Sequence, residues 1–169
     1  MSQKEQTMQN KILINKIRNA AELAWAAYGY YDLIGKKFKN DNTYKGRENT
    51  EITQADILDL TYNKHIAVES NPHKPDDEIK VGKLDGDFSP LQAQRFFEKY
   101  ELLDYFPKFD YKHNKQKQGF HACLFQNRES EQYIFAIRGS YDSRDYVEAD
   151  AWNLLIKEQV PRAHHNKYT

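Results

Sequence analysis

The chain has 169 residues, of which 39% are hydrophobic and 14% aromatic, so its composition is that of one folded domain and not of a disordered segment. Its 25 basic and 25 acidic side chains give a formal net charge of zero. That balance argues against a dedicated nucleic-acid-binding protein, because such proteins usually carry a basic excess. The sequence has no apolar run of about 18 residues that could cross a membrane, and its N-terminus lacks the apolar core of a secretory signal. It therefore leaves the localisation open, with the cytoplasm as the default.

The N-terminal part is predicted to be helical. Apolar residues recur at spacings of three and four from Met8 to Ile34, which indicates an amphipathic helix that Gly35 ends. Residues 36–51 are polar and are predicted to form a loop. A second helix is expected from Thr53 to Val68, with Thr53 as its N-cap.

The middle of the chain is acidic, with six basic and twelve acidic side chains in residues 51–107, which indicates a solvated face or the docking of a basic partner. Residues 70–87 carry two prolines and two glycines among many charges, so they are the best linker candidate and leave room only for a short strand. A third helix is expected to begin at the cap Ser89 and at Pro90, and to end at Pro107.

The hydrophobic pattern changes period after residue 119. Residues 120–125 and 132–137 are predicted to form two apolar strands of a β-hairpin, the second strand being the more buried. Helical spacing returns in residues 142–156. The sequence thus predicts a single α/β domain over residues 1–169, helical over 8–107, with a hairpin and a following helix over 119–156.

The strongest local motif is the run of the second strand, Tyr133 to Ile137, straight into Arg138-Gly139-Ser140. A glycine after a strand permits a sharp turn, and the backbone N–H and hydroxyl of a following serine can point into a cleft, where such donors stabilise an oxyanion. Arg138 could also pair with Asp145 or Asp150 and hold the turn. The alternative interpretation is a plain strand end with a capping serine and a surface ion pair.

In this region the chain resembles the class 3 (fungal-type) lipases of the α/β-hydrolase fold. The resemblance is close over residues 119–150 and loose over 10–156, and the helix expected to begin at Ser89 also fits it. It rests on the order and spacing of three pieces: Gly119-Phe120-His121-Ala122-Cys123-Leu124-Phe125, then Phe135-Ala136-Ile137-Arg138-Gly139-Ser140, then Asp145-Tyr146 and Asp150.

The resemblance implies an ester hydrolase that acts on acylglycerols or phospholipids and needs no cofactor or metal. Ser140 would occupy the oxyanion-hole position and would not be the nucleophile. Arg138, Gly139, Asp145 and Asp150 would support that loop structurally. The hairpin would form the first strands of a larger, incomplete hydrolase sheet.

The chain departs from the family at the nucleophile. Acyl transfer in this fold needs a serine on a Gly-x-Ser-x-Gly elbow, followed by an aspartate and a histidine. No serine of the chain stands between glycines at that spacing. We therefore expect an N-terminal portion of a lipase that does not hydrolyse esters alone. The alternative is a non-catalytic interaction module or a truncated, degenerate product, and strands left without sheet neighbours would favour self-association.

The remaining candidates for a site are weaker. The acidic residues around Asp85-Gly86-Asp87 resemble a calcium loop but lack the other ligand positions. His164-His165 is better explained as a surface pair. The single cysteine, Cys123, excludes an internal disulfide, and its apolar neighbours predict a buried, unreactive thiol. The lysines and aromatic residues of 108–118 could contact nucleic acid or anionic lipid, although a solvated basic loop explains them as well.

Overall fold

The structure is a computed structural model that describes residues 2–41, 44, 46–113 and 120–139. Helices and strands are mixed along this part of the chain, which confirms the predicted class at that level. The three helices are α1 (Gln3–Ala26), α2 (Gln54–Leu58) and α3 (Pro90–Lys99), and the six strands are β1 (Lys37–Phe38), β2 (Ile66–Asn71), β3 (Lys74–Lys83), β4 (Tyr100–Phe106), β5 (Ala122–Asn127) and β6 (Tyr133–Ile137). The strands form two antiparallel sheets, in the orders β1-β2-β3 and β4-β5-β6.

Helix α1 begins and ends earlier than its apolar pattern predicts. A capping box between Ser2 and Glu5 starts it at Gln3, and the helix ends at Ala26 instead of Ile34. The chain then turns into a short 3-10 segment, Tyr31–Leu33. The apolar pattern continues past residue 26 because Tyr31 and Leu33 are buried in the same core without being part of the helix.

The predicted second helix is wrong over most of its length. Thr53 caps it as expected, accepting a hydrogen bond from the Asp56 backbone, but α2 ends at Leu58. The backbone reverses at Lys64, which has a φ of 68°, and β2 then begins at Ile66. Ala67 and Val68 of β2 are buried as parts of a strand, and apolar spacing alone did not distinguish this strand from a helix.

The predicted linker is a ten-residue strand. β3 pairs antiparallel with β2 along its length, with two irregularities in the register. Most of its side chains are exposed, so it lacks the alternation that marks a half-buried strand. β3 is held in the sheet by backbone hydrogen bonds to β2. The pattern of side chains along the sequence does not indicate such bonds.

The third helix begins where the sequence predicts but is shorter. Ser89 accepts a hydrogen bond from the Gln92 backbone and Pro90 opens the helix, as expected. After Lys99 the chain becomes β4, which pairs with β5. The prediction that residues 8–107 are helical throughout is therefore wrong, because β2, β3 and β4 all lie within that range.

The predicted hairpin is confirmed. β5 and β6 pair antiparallel, with Leu124 opposite Phe135 and Phe125 opposite Ile134. The expectation that the second strand is the more buried is wrong. β5 is buried because β4 and β6 flank it on both sides, whereas β6 stands at the margin of the described sheet with Phe135 64% exposed.

One core joins the two sheets with the C-terminal end of α1 and with α3. Phe96 of α3 lies at its centre, with ring contacts to Phe88, Tyr100 and Phe125. Tyr31, just beyond α1, contacts Phe125 from another side. This packing places the end of α1 beside the end of β6.

Candidate functional site at the end of strand β6

The predicted Arg-Gly turn begins inside the protein and not on its surface. The Arg138 backbone N–H donates to the His121 carbonyl oxygen at 3.0 Å, which continues the β5–β6 pairing by one residue. The Arg138 side chain is buried. His121 is buried too, with its ring edge-on to Tyr30 at 5.1 Å between ring centres. The strand therefore ends on a buried cation.

Gly139 lies against the end of helix α1. A Cβ atom at this position would be 3.0 Å from the Tyr28 phenolic oxygen, which is tighter than ordinary van der Waals contact. A side chain larger than hydrogen would require Tyr28 to move. Gly139 is thus placed directly beside Tyr28.

A cleft of about 120 Å³ opens beside this turn. Tyr28, Tyr30, Asp85, Asp87 and Arg138 line it. The lining combines one guanidinium, two carboxylates and two phenol groups, so the cleft is suited to polar ligand groups. Volume alone limits it to a small group or to one end of a larger ligand.

The acidic loop on the far side of the cleft is held by backbone contacts. Phe88 donates to the Leu58 carbonyl oxygen at 2.8 Å and accepts from the Leu60 backbone N–H at 2.8 Å. Gly86 passes so close that an added Cβ would lie 2.3 Å from the Leu58 carbonyl carbon. Asp85 and Asp87 are therefore presented by a closely packed loop, and Asp87 accepts a hydrogen bond from the Trp25 indole at 3.3 Å.

These two aspartates were considered from the sequence only as part of a calcium loop. In the structure they face a cleft that Arg138 also lines. Across the described ranges, no group of three or more His, Cys, Asp and Glu side chains could hold a metal ion. The sequence signal that could have pointed to this pairing is the glycine between the aspartates, which permits the close approach to Leu58.

Several predicted site residues lie outside the described residues. They are Ser140, Asp145 and Asp150, together with His164, His165 and the expected helix over 142–156. Their predicted roles remain predictions. Of the proposed turn, Arg138 and Gly139 are described; Arg138 lines the cleft, and Gly139 lies against Tyr28, which lines it too.

Cys123 is buried among apolar groups, as the sequence predicts. Burial raises the pKa of its thiol to about 12. The nearby Tyr31 hydroxyl also has a raised pKa, mainly through burial and secondly through the Cys123 charge, and it donates to the Ala26 carbonyl oxygen at 2.9 Å. Cys123 is thus a core residue with little thiolate character at neutral pH.

The described start of the basic loop is occupied by internal contacts. Lys108 pairs with Asp104, and its ammonium lies 3.7 Å from the centre of the Tyr105 ring. Phe109 is buried, and the ammonium of Lys36 lies 4.0 Å from its ring centre. These contacts favour a structural explanation of the residues over a stacking surface for nucleic-acid bases.

None of the described helices combines the length and the apolar character needed to cross a membrane. Comparison of the chain with models of known protein families gives no match, and comparisons with curated proteins and with solved structures give none either. The assignment to the lipase family therefore stays a prediction from the motifs.

Proposed function

We propose that this chain forms the oxyanion-stabilising side of the active site of a lipase-like carboxylic ester hydrolase acting on acylglycerols or phospholipids. The observation that supports the proposal best is the turn after β6. There the buried Arg138 and the tightly placed Gly139 bring the chain to the edge of a polar cleft. A strand that simply ended in solvent would not need either feature.

The proposed chemistry needs donors at the turn. Attack on an ester carbonyl places negative charge on the carbonyl oxygen, and backbone N–H groups that are already oriented stabilise this charge without reorganising. The backbone N–H of Ser140, the residue after Gly139, would be one such donor. Arg138 would act as a positioning residue that holds the start of the turn in the protein.

The attacking hydroxyl would come from outside the 169 residues. The family route needs a serine on a Gly-x-Ser-x-Gly elbow, an aspartate and a histidine in that order, and no serine of this chain has such neighbours. The exposed face of β6, with Tyr133, Phe135 and Ile137, would then be covered by further parts of a larger hydrolase. In this proposal the further strands of the hydrolase sheet would continue from the outer edge of β6.

A first experiment tests the location of the nucleophile. The purified 169-residue chain is assayed with a p-nitrophenyl ester and with a fluorophosphonate probe that labels activated serines. We expect neither turnover nor labelling. Labelling of any serine in this chain would show that the nucleophile is internal and would contradict the proposal.

A second experiment tests the role of the turn. The chain is produced together with whatever its own or the neighbouring reading frame encodes after Thr169, and ester hydrolysis is measured. We expect turnover that Ser140→Pro, which removes the backbone N–H, lowers by about 100- to 1000-fold. Ser140→Ala, which keeps the N–H, is the matched control and should retain most of the rate.

Equal ester hydrolysis by Ser140→Pro and Ser140→Ala would reject the oxyanion role of the Ser140 backbone N–H. The hydrolase would be rejected if no neighbouring sequence carries the serine elbow, and that result would favour the second candidate, a non-catalytic interaction module. The observation that favours this candidate is the exposed apolar surface of helix α1.

A further inference from the structure

Two neighbouring depressions share the side chains that lie between them. Besides the cleft at the turn after β6, a hollow of about 510 Å³ opens at the end of α1 and is lined by Ala21, Ala24, Trp25, Tyr28 and Asp87. Tyr28 and Asp87 line both the hollow and the cleft. A ligand can therefore extend from one depression into the other across these two side chains. We call the hollow and the cleft together the joined pocket.

The hollow combines aromatic rings with a carboxylate. Trp25 is 57% exposed, so a ligand can reach its indole from solvent. The Asp87 carboxylate accepts a hydrogen bond from the Trp25 indole N–H at 3.3 Å, which holds the negative charge beside the ring. The faces of Trp and Tyr rings attract cations, and a carboxylate next to them adds the counter-charge. This combination is suited to a quaternary ammonium group.

A hydrocarbon chain is a poorer occupant of the hollow. It would remove water from the Asp87 carboxylate without offering a hydrogen bond, and this costs free energy. A quaternary ammonium group presents methyl groups to the alanine and aromatic walls, while its charge compensates the carboxylate. Arg18 and Glu22, which line the adjoining surface together with Trp25, carry opposite charges and leave the balance unchanged.

The cleft supplies the opposite charge. Arg138 lines the cleft but not the hollow, and its side chain is buried. A guanidinium is well suited to the oxygen atoms of a phosphate group. Asp85 and Asp87 line the same cleft, so two carboxylates outnumber the single guanidinium. The cleft therefore favours a phosphate that carries one negative charge and is joined to a cation.

We infer that the joined pocket binds a phosphocholine group, with the quaternary ammonium in the hollow beside Trp25 and Asp87 and the phosphate at Arg138. The inference rests on the proposed function and names its substrate class, which is a phospholipid with a choline headgroup and not an uncharged acylglycerol. In such a lipid only the glycerol unit separates the phosphate from the esters. A phosphate at Arg138 would thus bring an ester carbonyl close to the turn that Arg138 begins.

The first test measures binding and not turnover, so it does not need the nucleophile. Glycerophosphocholine is titrated into the full 169-residue chain by calorimetry, and Trp25 fluorescence is followed in a Trp152→Phe background. We expect a dissociation constant of about 0.1 to 1 mM from both readouts. Choline, which lacks the phosphate, and glycerophosphoethanolamine, which lacks the methyl groups, should each bind about tenfold more weakly.

A second titration distinguishes a lipid headgroup from free phosphocholine. At about pH 8 the phosphodiester of glycerophosphocholine carries one negative charge, whereas the monoester phosphocholine carries nearly two. The two carboxylates of the cleft repel the additional charge, so the diester should bind about threefold more tightly or better. Tighter binding of the monoester would reject the lipid headgroup as the ligand.

Substitutions test the ammonium end of the site. Asp87→Asn keeps an acceptor for the Trp25 indole but removes the charge, and it should weaken glycerophosphocholine about tenfold. Trp25→Ala should weaken it by a similar factor, whereas Trp25→Phe keeps a ring and should cost less than about threefold. Asp76→Asn, at an exposed residue of β3 outside the pocket, is the matched control and should bind like the parent. The substituted positions are all exposed, and circular dichroism shows whether each variant is folded.

Three further results would overturn the inference. The first is no binding of glycerophosphocholine up to about 10 mM. The second is binding that neither Asp87→Asn nor Trp25→Ala weakens. The third is a Trp25 response to octanoate but not to glycerophosphocholine, which would make the hollow a site for an acyl chain. None of these results changes the turnover expected from the proposed hydrolase, and a missing turnover would leave the measured binding in place, so the two proposals can fail separately.

Discussion

The guanidinium of Arg47 holds the carboxylate of Asp56 through two hydrogen bonds, of 2.8 Å and 2.7 Å. The same carboxylate accepts from the Thr53 backbone at 2.8 Å and completes the cap of helix α2. Arg47 also donates to the Tyr62 hydroxyl at 2.7 Å and lies 4.6 Å from the centre of the Phe38 ring. One ion pair thus joins the loop before Glu51 to α2 and to the short 3-10 segment Leu60–Tyr62 that follows α2.

This pair gives the first prediction, on stability against pH. Burial acts to raise the pKa of Asp56, but the hydrogen bonds from Arg47 and Thr53 outweigh it and lower the pKa below its ordinary value. A lowered folded-state pKa adds stability above about pH 4, the unfolded value, and this is lost as the pH falls through the folded value. Asp56→Asn should therefore cost roughly 3 kcal/mol at pH 7, because it leaves the partly buried Arg47 without its counter-charge.

The measurement is urea unfolding of parent and variant between about pH 2 and pH 8, spanning both values. The difference in the free energy of unfolding should be constant near neutrality and should shrink below about pH 4. Asp76→Asn, at an exposed residue of β3, is the control and should change stability by less than about 0.5 kcal/mol. A difference that did not depend on pH would show that the charge of Asp56 is not what matters.

A second prediction concerns the loop that presents Asp85 and Asp87. Gly86→Ala would put a Cβ 2.3 Å from the Leu58 carbonyl carbon, and backbone cannot yield as a flexible side chain does. We expect a loss of about 3 kcal/mol or more in the free energy of unfolding. Gly35→Ala is the control, because its Cβ meets open space and only the positive φ of 78° is strained, at about 1 kcal/mol. Equal losses would contradict the close approach.

A third prediction distinguishes the two faces of the hairpin. Phe125 of β5 is fully buried, while Phe135 of β6 is 64% exposed on the opposite face. Phe125→Ala should cost roughly 4 kcal/mol in the free energy of unfolding, and Phe135→Ala less than about 0.5 kcal/mol. Urea unfolding at neutral pH measures both. A larger loss from Phe135→Ala than from Phe125→Ala would mean that Phe135, and not Phe125, lies on the buried face of the hairpin.

A fourth prediction concerns the single thiol. With its pKa raised to about 12 by burial, Cys123 should not react with an aromatic disulfide reagent at pH 8 while the protein is folded. In concentrated urea one thiol per chain should react within seconds to minutes. The rate at intermediate urea should follow the unfolded fraction measured by circular dichroism. Rapid reaction of the folded protein would place Cys123 near the surface.

Much of the local structure could be predicted because its energetics are local. Thr53 and Ser89 cap helices through hydrogen bonds to backbone groups three residues away, and both predictions are confirmed. The hairpin of β5 and β6 is likewise set by two apolar strands and a short polar turn between them. The burial of Cys123 follows from its apolar neighbours in the chain.

The amino-acid sequence by itself determined the mixed class, the starts of α2 and α3, and the hairpin. Only the tertiary structure decided that residues 74–83 and 100–106 are strands, because their pairing uses backbone groups of distant segments that leave no periodic mark in the sequence. It also decided that Arg138 shares a cleft with Asp85 and Asp87. The proximity of these three side chains depends on how the core packs α1, α2 and β6 together. The spacing of residues along the chain does not predict that packing.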